Sequence, residues 1–156
     1  MKILYICTHN RCRSILSEAI TNKIAKGTLQ AKSAGSAPAG VVHPLSLKYL
    51  QRTGYSTDGL TSQSWDDYEN FNPDVVITVC DAAAGEACPL YFGNSLKVHW
   101  GLSDPSKFEG NEKGQEQAFL SCIEEIEKRA ERLVEIANKN HDKPSLLAAL
   151  ANIGSQ

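Results

Sequence analysis

The first apolar run, Lys2-Ile-Leu-Tyr-Ile-Cys7, shows no helical or alternating spacing and reads as a buried strand. It passes through a polar loop into a segment whose apolar positions Ile15, Leu16, Ala19, Ile20 and Ile24 keep helical spacing up to Gly27. A second strand is predicted at Ala31-Lys-Ser-Ala-Gly35. A Gly/Pro/Ala/Ser loop and a helix from about His43-Pro44 to just before Gly54 follow. Asp74-Val-Val-Ile-Thr-Val-Cys80 is a third, continuous apolar run. Runs of this kind suit a parallel sheet covered on both faces, and Leu96-Lys-Val-His-Trp100 supplies a shorter fourth strand. The longest helical pattern, Gln115 to Asn138, places Phe119, Ile123, Ile126, Leu133 and Ile136 on one face and Glu, Lys and Arg on the other. Asn140-His-Asp-Lys-Pro144 breaks it. Ser145 to Asn152 then form a short apolar helix that either docks on the body or meets a partner. Alternating strands and helices predict a three-layer α/β sandwich with a four-stranded parallel sheet. One domain is expected over residues 1–138, with a C-terminal tail over 139–156.

Composition narrows the function. The chain has 156 residues, 42% hydrophobic and 22% charged, enough for one core. The net charge is −2 and no Lys/Arg block occurs, which argues against nucleic acid or an anionic membrane as partner. An anionic substrate therefore needs a local positive site. The apolar run after Met1 is too short for a signal-peptide core or a membrane span, so a cytoplasmic protein is expected. Five cysteines, Cys7, Cys12, Cys80, Cys88 and Cys122, form no C-x-x-C pair and match no common zinc spacing. They read as individual reactive or buried thiols, with no metal or cofactor site and no disulfide framework.

The chemistry concentrates in Cys7-Thr-His-Asn-Arg-Cys-Arg13-Ser14, between the first strand and the first helix. Open α/β sheets bind ligands at the carboxyl ends of their strands. A loop there turns successive backbone N–H groups inward, those of Thr8, His9, Asn10, Arg11 and Cys12 included, and the helix N-terminus adds its positive end. A tetrahedral oxyanion fits such a cradle. Arg13 can grip two of its oxygens with a planar fork, and the same field is expected to lower the pKa of Cys7 and favour a nucleophilic thiolate. Ser14 can donate to that thiolate, and Asn10 can tie the loop or adopt a left-handed angle. Asp104, in Ser103-Asp104-Pro105, is the candidate proton donor. Taken alone, a buried strand-end thiol at Cys7 and an ordinary Asp-Pro turn at Asp104 remain open readings.

With these residues stand Ser33-Ala-Gly35, Thr61-Ser62, Cys88-Pro89 and His99-Trp-Gly-Leu-Ser-Asp-Pro105, in one order along residues 2–137. Together they resemble the arsenate reductases that share the low-molecular-weight tyrosine phosphatase fold. The resemblance implies that Cys7 attacks arsenate, that Arg13 and the loop bind it, and that Asp104 is the general acid. It further implies that Cys80 takes the sulfur bond from Cys7 and that Cys88 then receives the disulfide for thioredoxin, or for glutathione and glutaredoxin. Residue type alone also allows Cys80 to be a buried strand-end cysteine. Phosphatase relatives place Asp-Pro nearer the C-terminus and follow it with tyrosine; Ser106 stands here. The alternatives are a phosphatase of this fold acting on phosphomonoesters and an oxyanion-sensing regulator. Cys12 and Cys122 are expected to be bystanders, and His99 and Trp100 to support the acid loop. Glu18 and Ser33 match positions that, with Asn10, help form a potassium site in some relatives, but Gln63 replaces their acidic residue, which argues against potassium dependence.

Overall fold

The computed structural model describes residues 1–80, 92–139 and 142–154. Strand β1 (Lys2–Ile6) leads to helix α1 (Arg13–Ala25) and strand β2 (Gln30–Ala34). Helix α2 (Pro44–Arg52) and strands β3 (Val75–Thr78) and β4 (Leu96–His99) follow, then helices α3 (Glu112–Ala137) and α4 (Lys143–Gly154). The four strands form one all-parallel sheet in the order β2-β1-β3-β4. This is the four-stranded parallel α/β arrangement expected. β1 is buried from Ile3 to Ile6 because helices cover the sheet, which explains its unbroken apolar run.

The strand order carries the functional consequence. The chain leaves β1 toward β2 on one side and returns to β3 on the other, so β1 and β3 flank the point where the winding reverses. Ligands of open α/β sheets bind outside the carboxyl ends at that point. Cys7 follows β1 and Cys80 follows β3, and the register pairs Ile6 with Thr78, so the topology alone brings the two thiols to neighbouring strand ends.

α1 packs against α3, and α3 buries Phe119, Cys122, Ile123, Ile126, Ala130 and Leu133. The helix begins earlier than its apolar periodicity indicated, because Asn111 caps it by accepting from the Gly114 amide at 2.8 Å. α4 also begins earlier than expected. Pro144 lies in its first turn, where a missing N–H is harmless, rather than ahead of it. α4 lies against β4 and α3, and buries Leu150 and Ile153. No helix among the described residues is long and apolar enough to cross a membrane.

Candidate active site

The loop after β1 is fixed from below by its own side chains. Asn10 has a left-handed φ of 46° and is fully buried. Its Nδ2 donates to Ser14 Oγ at 2.8 Å and its Oδ1 accepts from the Gln63 amide at 2.8 Å, so both expected roles of Asn10 are met at once. The segment after β2 runs alongside: Ala37, Ala39 and His43 amides donate to the Thr8, His9 and Arg11 carbonyls. His43 caps α2 through Nδ1, and Ser62 Oγ donates to the His9 carbonyl. Gly35 is the residue whose size matters most. A Cβ there would fall 2.5 Å from the Thr8 carbonyl oxygen and 2.7 Å from that of Cys7.

Behind the loop, Ser33 donates to Glu18 at 2.6 Å and Tyr68 to Gln63. Burial raises the pKa of Glu18, with Ser33 and Lys32 opposing. Of the residues matching a potassium site, Ser33 and Glu18 bond to each other, while Asn10 bonds to Ser14 and to the Gln63 amide.

The loop encloses a cavity of about 260 Å³ lined by Cys7, Thr8, His9, Arg11, Cys12, Arg13, Cys80, Asp104, Ser106 and Lys107. Sequence-predicted residues from three separated segments therefore meet in one place. Cys88 lies outside the described residues, as does the loop from Asp81 to Ala87. Cationic side chains of Arg11, Arg13 and Lys107 on the wall supply the local positive site that the net charge of −2 demanded. The N-terminus of α1 carries no side-chain cap and no acidic residue in its first turn, leaving its amides suited to an anion.

Arg13 is held at two points. Its Nη1 donates to the Leu102 carbonyl at 2.8 Å, and its Nη2 lies 3.5 Å from Asp104 Oδ2. Its Nε is buried without a partner. An unpaired buried donor costs about 1–3 kcal/mol. Asp104 caps the 3₁₀ turn Pro105–Lys107: its Oδ1 accepts from the Ser106 amide at 2.9 Å and the Ser106 hydroxyl at 2.6 Å. Its other oxygen faces Arg13 and the cavity. The Asp-Pro pair is thus a turn and a cavity wall together.

Cys7 and Cys80 are both buried and free of disulfide. Both line the cavity, and Cys80 Sγ lies 3.4 Å from the Thr8 amide nitrogen and 3.7 Å from Thr8 Oγ1. Opposing influences act on the Cys7 thiol. The Cys80 hydrogen bond, then burial, then the charge of Cys80 push the Cys7 thiol above its ordinary range, against the pull of Arg13 and the His9 amide. Two neighbouring thiols resist ionising together. The helix terminus alone therefore does not set the state of Cys7. Ser14 Oγ accepts from Asn10 Nδ2, which leaves its own hydroxyl proton able to be donated.

Burial pushes Cys12 up to about 11 and Cys122 up to about 12, so neither is an activated thiol. Cys122 belongs to the core, whereas Cys12 also touches the cavity wall. Two contributors escaped the sequence reading. The Leu102 carbonyl fixes Arg13, and Arg129 of α3 fixes the carbonyls of Trp100 and Gly101 just upstream of Asp104. The first leaves no mark in a sequence. The second left one: Arg129 stands three residues after Ile126 and four before Leu133, a charge on an apolar stripe.

Comparison with known proteins agrees with this geometry. The chain is 33% identical over 133 residues to an arsenate reductase of Halalkalibacterium halodurans and to one of Bacillus licheniformis, alignments that cover 85% of this chain and 94% of each relative. Among solved structures, a thioredoxin-dependent arsenate reductase of Corynebacterium glutamicum superposes with a TM-score of 0.67 at 29% identity, covering 87% of this chain and 61% of that one. An arsenate reductase of Archaeoglobus fulgidus superposes with a TM-score of 0.70 at 25% identity, covering 85% and 98%. Residues 2–143 match the low molecular weight phosphotyrosine protein phosphatase family, and the chain belongs to that family.

Proposed function

We propose that this protein reduces arsenate to arsenite, in arsenic detoxification, with thioredoxin as the external reductant. The observation that carries the proposal is that two thiols outside any disulfide, Cys7 and Cys80, line one oxyanion-sized cavity together with Arg13 and Asp104. Hydrolysis of a phosphomonoester needs one thiol; transfer of two electrons to arsenic needs two.

Arsenate enters the cradle of amides from Thr8 to Ser14, and the Arg13 guanidinium on the cavity wall takes its oxygens. The Cys7 thiolate attacks arsenic(V), and Asp104 protonates the departing hydroxide, which leaves as water. The Cys80 thiolate then attacks Cys7 Sγ. The sulfur–arsenic bond breaks, its electron pair stays on arsenic, and arsenite leaves a Cys7–Cys80 disulfide. Cys88 attacks Cys80 in turn, freeing Cys7 and presenting a Cys80–Cys88 disulfide to the external dithiol. With both thiols on the wall of one cavity, the second thiol is near the sulfur it will attack.

The test is arsenate-dependent NADPH consumption with thioredoxin and its reductase, then with glutathione and glutaredoxin. Turnover with the first is expected. Phosphomonoester hydrolysis with no arsenite formed in either system would replace this reading with the phosphatase one.

A further inference from the structure

The segment from Trp100 to Asp104, which carries the proposed acid, is held from three sides. Arg13 takes the Leu102 carbonyl at 2.8 Å and faces the Asp104 carboxylate. From α3, Arg129 Nη1 donates to the Trp100 carbonyl at 3.1 Å and the Gly101 carbonyl at 3.3 Å, while Nη2 pairs with Glu125 at 2.8 Å. From α4, the Leu150 carbonyl accepts the Trp100 indole N–H at 2.8 Å. Gly154 closes the same contact so tightly that a Cβ would fall 2.5 Å from Trp100 Cδ1 and 2.7 Å from the His99 carbonyl oxygen.

Packing alone does not account for Arg129. Its side chain is only 9% exposed, and its Nε is buried without a partner. An apolar residue would fill this position on the stripe without the desolvation penalty of a guanidinium. What an apolar residue lacks is a rigid fork that fixes two successive carbonyls. Those carbonyls lie three and four residues before Asp104, on the only covalent approach to it from β4.

We infer that Arg129, backed by α4 behind Trp100, is the positioning device for Asp104. It fixes the start of the acid segment as Arg13 fixes its end. The inference rests on Asp104 being the proton donor. It gives α4 a role in catalysis although the family match ends at residue 143, where that helix begins. A proton donor acts over hydrogen-bond distances, so a shift of about 1 Å in the segment is enough to slow transfer on the order of 10²-fold.

A double-mutant cycle in the full chain tests this, read by the single-turnover rate of arsenite formation and the KM for arsenate. Asp104→Asn is expected to slow the reaction about 10²-fold or more. Arg129→Met is expected to lower the rate about 10-fold with KM within about twofold, and Arg129→Lys, which keeps a donor, to recover most of it. In the Asp104→Asn background, Arg129→Met should do nothing further. Losses that multiply, or a KM that rises while the rate holds, overturn the positioning role. An unslowed Asp104→Asn variant overturns the acid assignment itself, a distinct failure. If Arg129→Met does not fold, Trp100→Phe serves the same cycle. It keeps an aromatic ring, removes the donor to Leu150, and should slow the reaction about threefold in the parent but not in Asp104→Asn. Additive losses there overturn the inference as well.

Discussion

Cys7 carries the nucleophile and Arg13 the oxyanion grip, so Cys7→Ser and Arg13→Ala should each abolish arsenite formation and any aryl-phosphate hydrolysis alike. Full reductase activity in either variant would remove the proposed site. A finer test concerns the thiol pair. Two of the influences that raise the Cys7 pKa, its hydrogen bond to Cys80 and the charge of Cys80, disappear in Cys80→Ala. Burial then stands alone against Arg13 and the His9 amide, so the Cys7 pKa must fall. A lower pKa means more thiolate at neutral pH, and the pH midpoint of Cys7 alkylation by iodoacetamide should move down. A midpoint that stays or rises would show that the helix terminus and burial, not Cys80, set the state of Cys7. Cys7 and Arg13 were legible because their chemistry follows from a local spacing between a strand and a helix. The raised state of Cys7 was not, because its cause sits 73 residues later in the chain. Arg129 was visible only as a charge on an apolar stripe, since its partners are backbone carbonyls at a separation of 28 and 29 residues.

At the scale of elements, the close approach of β2 to the Cys7 loop is set by Gly35. Its amide donates to the Gln63 carbonyl and its carbonyl accepts from Trp65, so the backbone is pinned on both sides and cannot retreat. In Gly35→Ala the new Cβ meets backbone oxygens of Thr8 and Cys7, which have no rotamer to change. The loop must shift instead. A loss of about 1–3 kcal/mol in unfolding free energy is expected, the usual scale of overpacking, with weaker inhibition by inorganic phosphate. Denaturant unfolding and phosphate inhibition measured on one preparation check this; wild-type values for both would show that the loop has slack. Strand and helix identities were readable because continuous apolar runs and helical spacing are one-dimensional signals. Their ends were not, because caps decide them: Asn111 starts α3 before its apolar stripe begins, and Pro144 fits the first turn of α4.

At the scale of the molecule, the β2-β1-β3-β4 order makes the relay possible by placing the ends of β1 and β3 side by side. Strand alternation predicted a parallel sheet, but no residue pattern states which strands are neighbours, so the meeting of Cys7 and Cys80 came to the sequence only by resemblance. Because both thiols already line one cavity, little rearrangement is expected in the step that releases arsenite, and the next step becomes the separable one. Cys88 must attack the Cys80 sulfur and displace Cys7 in one exchange, and bridged cysteines need Cα atoms within about 7 Å. Cys88→Ser should therefore complete the first half of the reaction and stop. About one arsenite per enzyme is expected, with no thioredoxin-driven turnover, and the Cys7–Cys80 disulfide should accumulate. Peptide mapping of the arsenate-treated variant identifies that bridge. Cys80→Ser should form no arsenite catalytically while keeping the hydrolysis that Cys7, Arg13 and Asp104 perform by themselves. If Cys88→Ser turns over with glutathione and glutaredoxin but not with thioredoxin, glutathione resolves the first bridge directly. Sustained thioredoxin-driven turnover by Cys88→Ser would instead exclude Cys88 from the relay, and the same result for Cys80→Ser would break the relay at its first transfer.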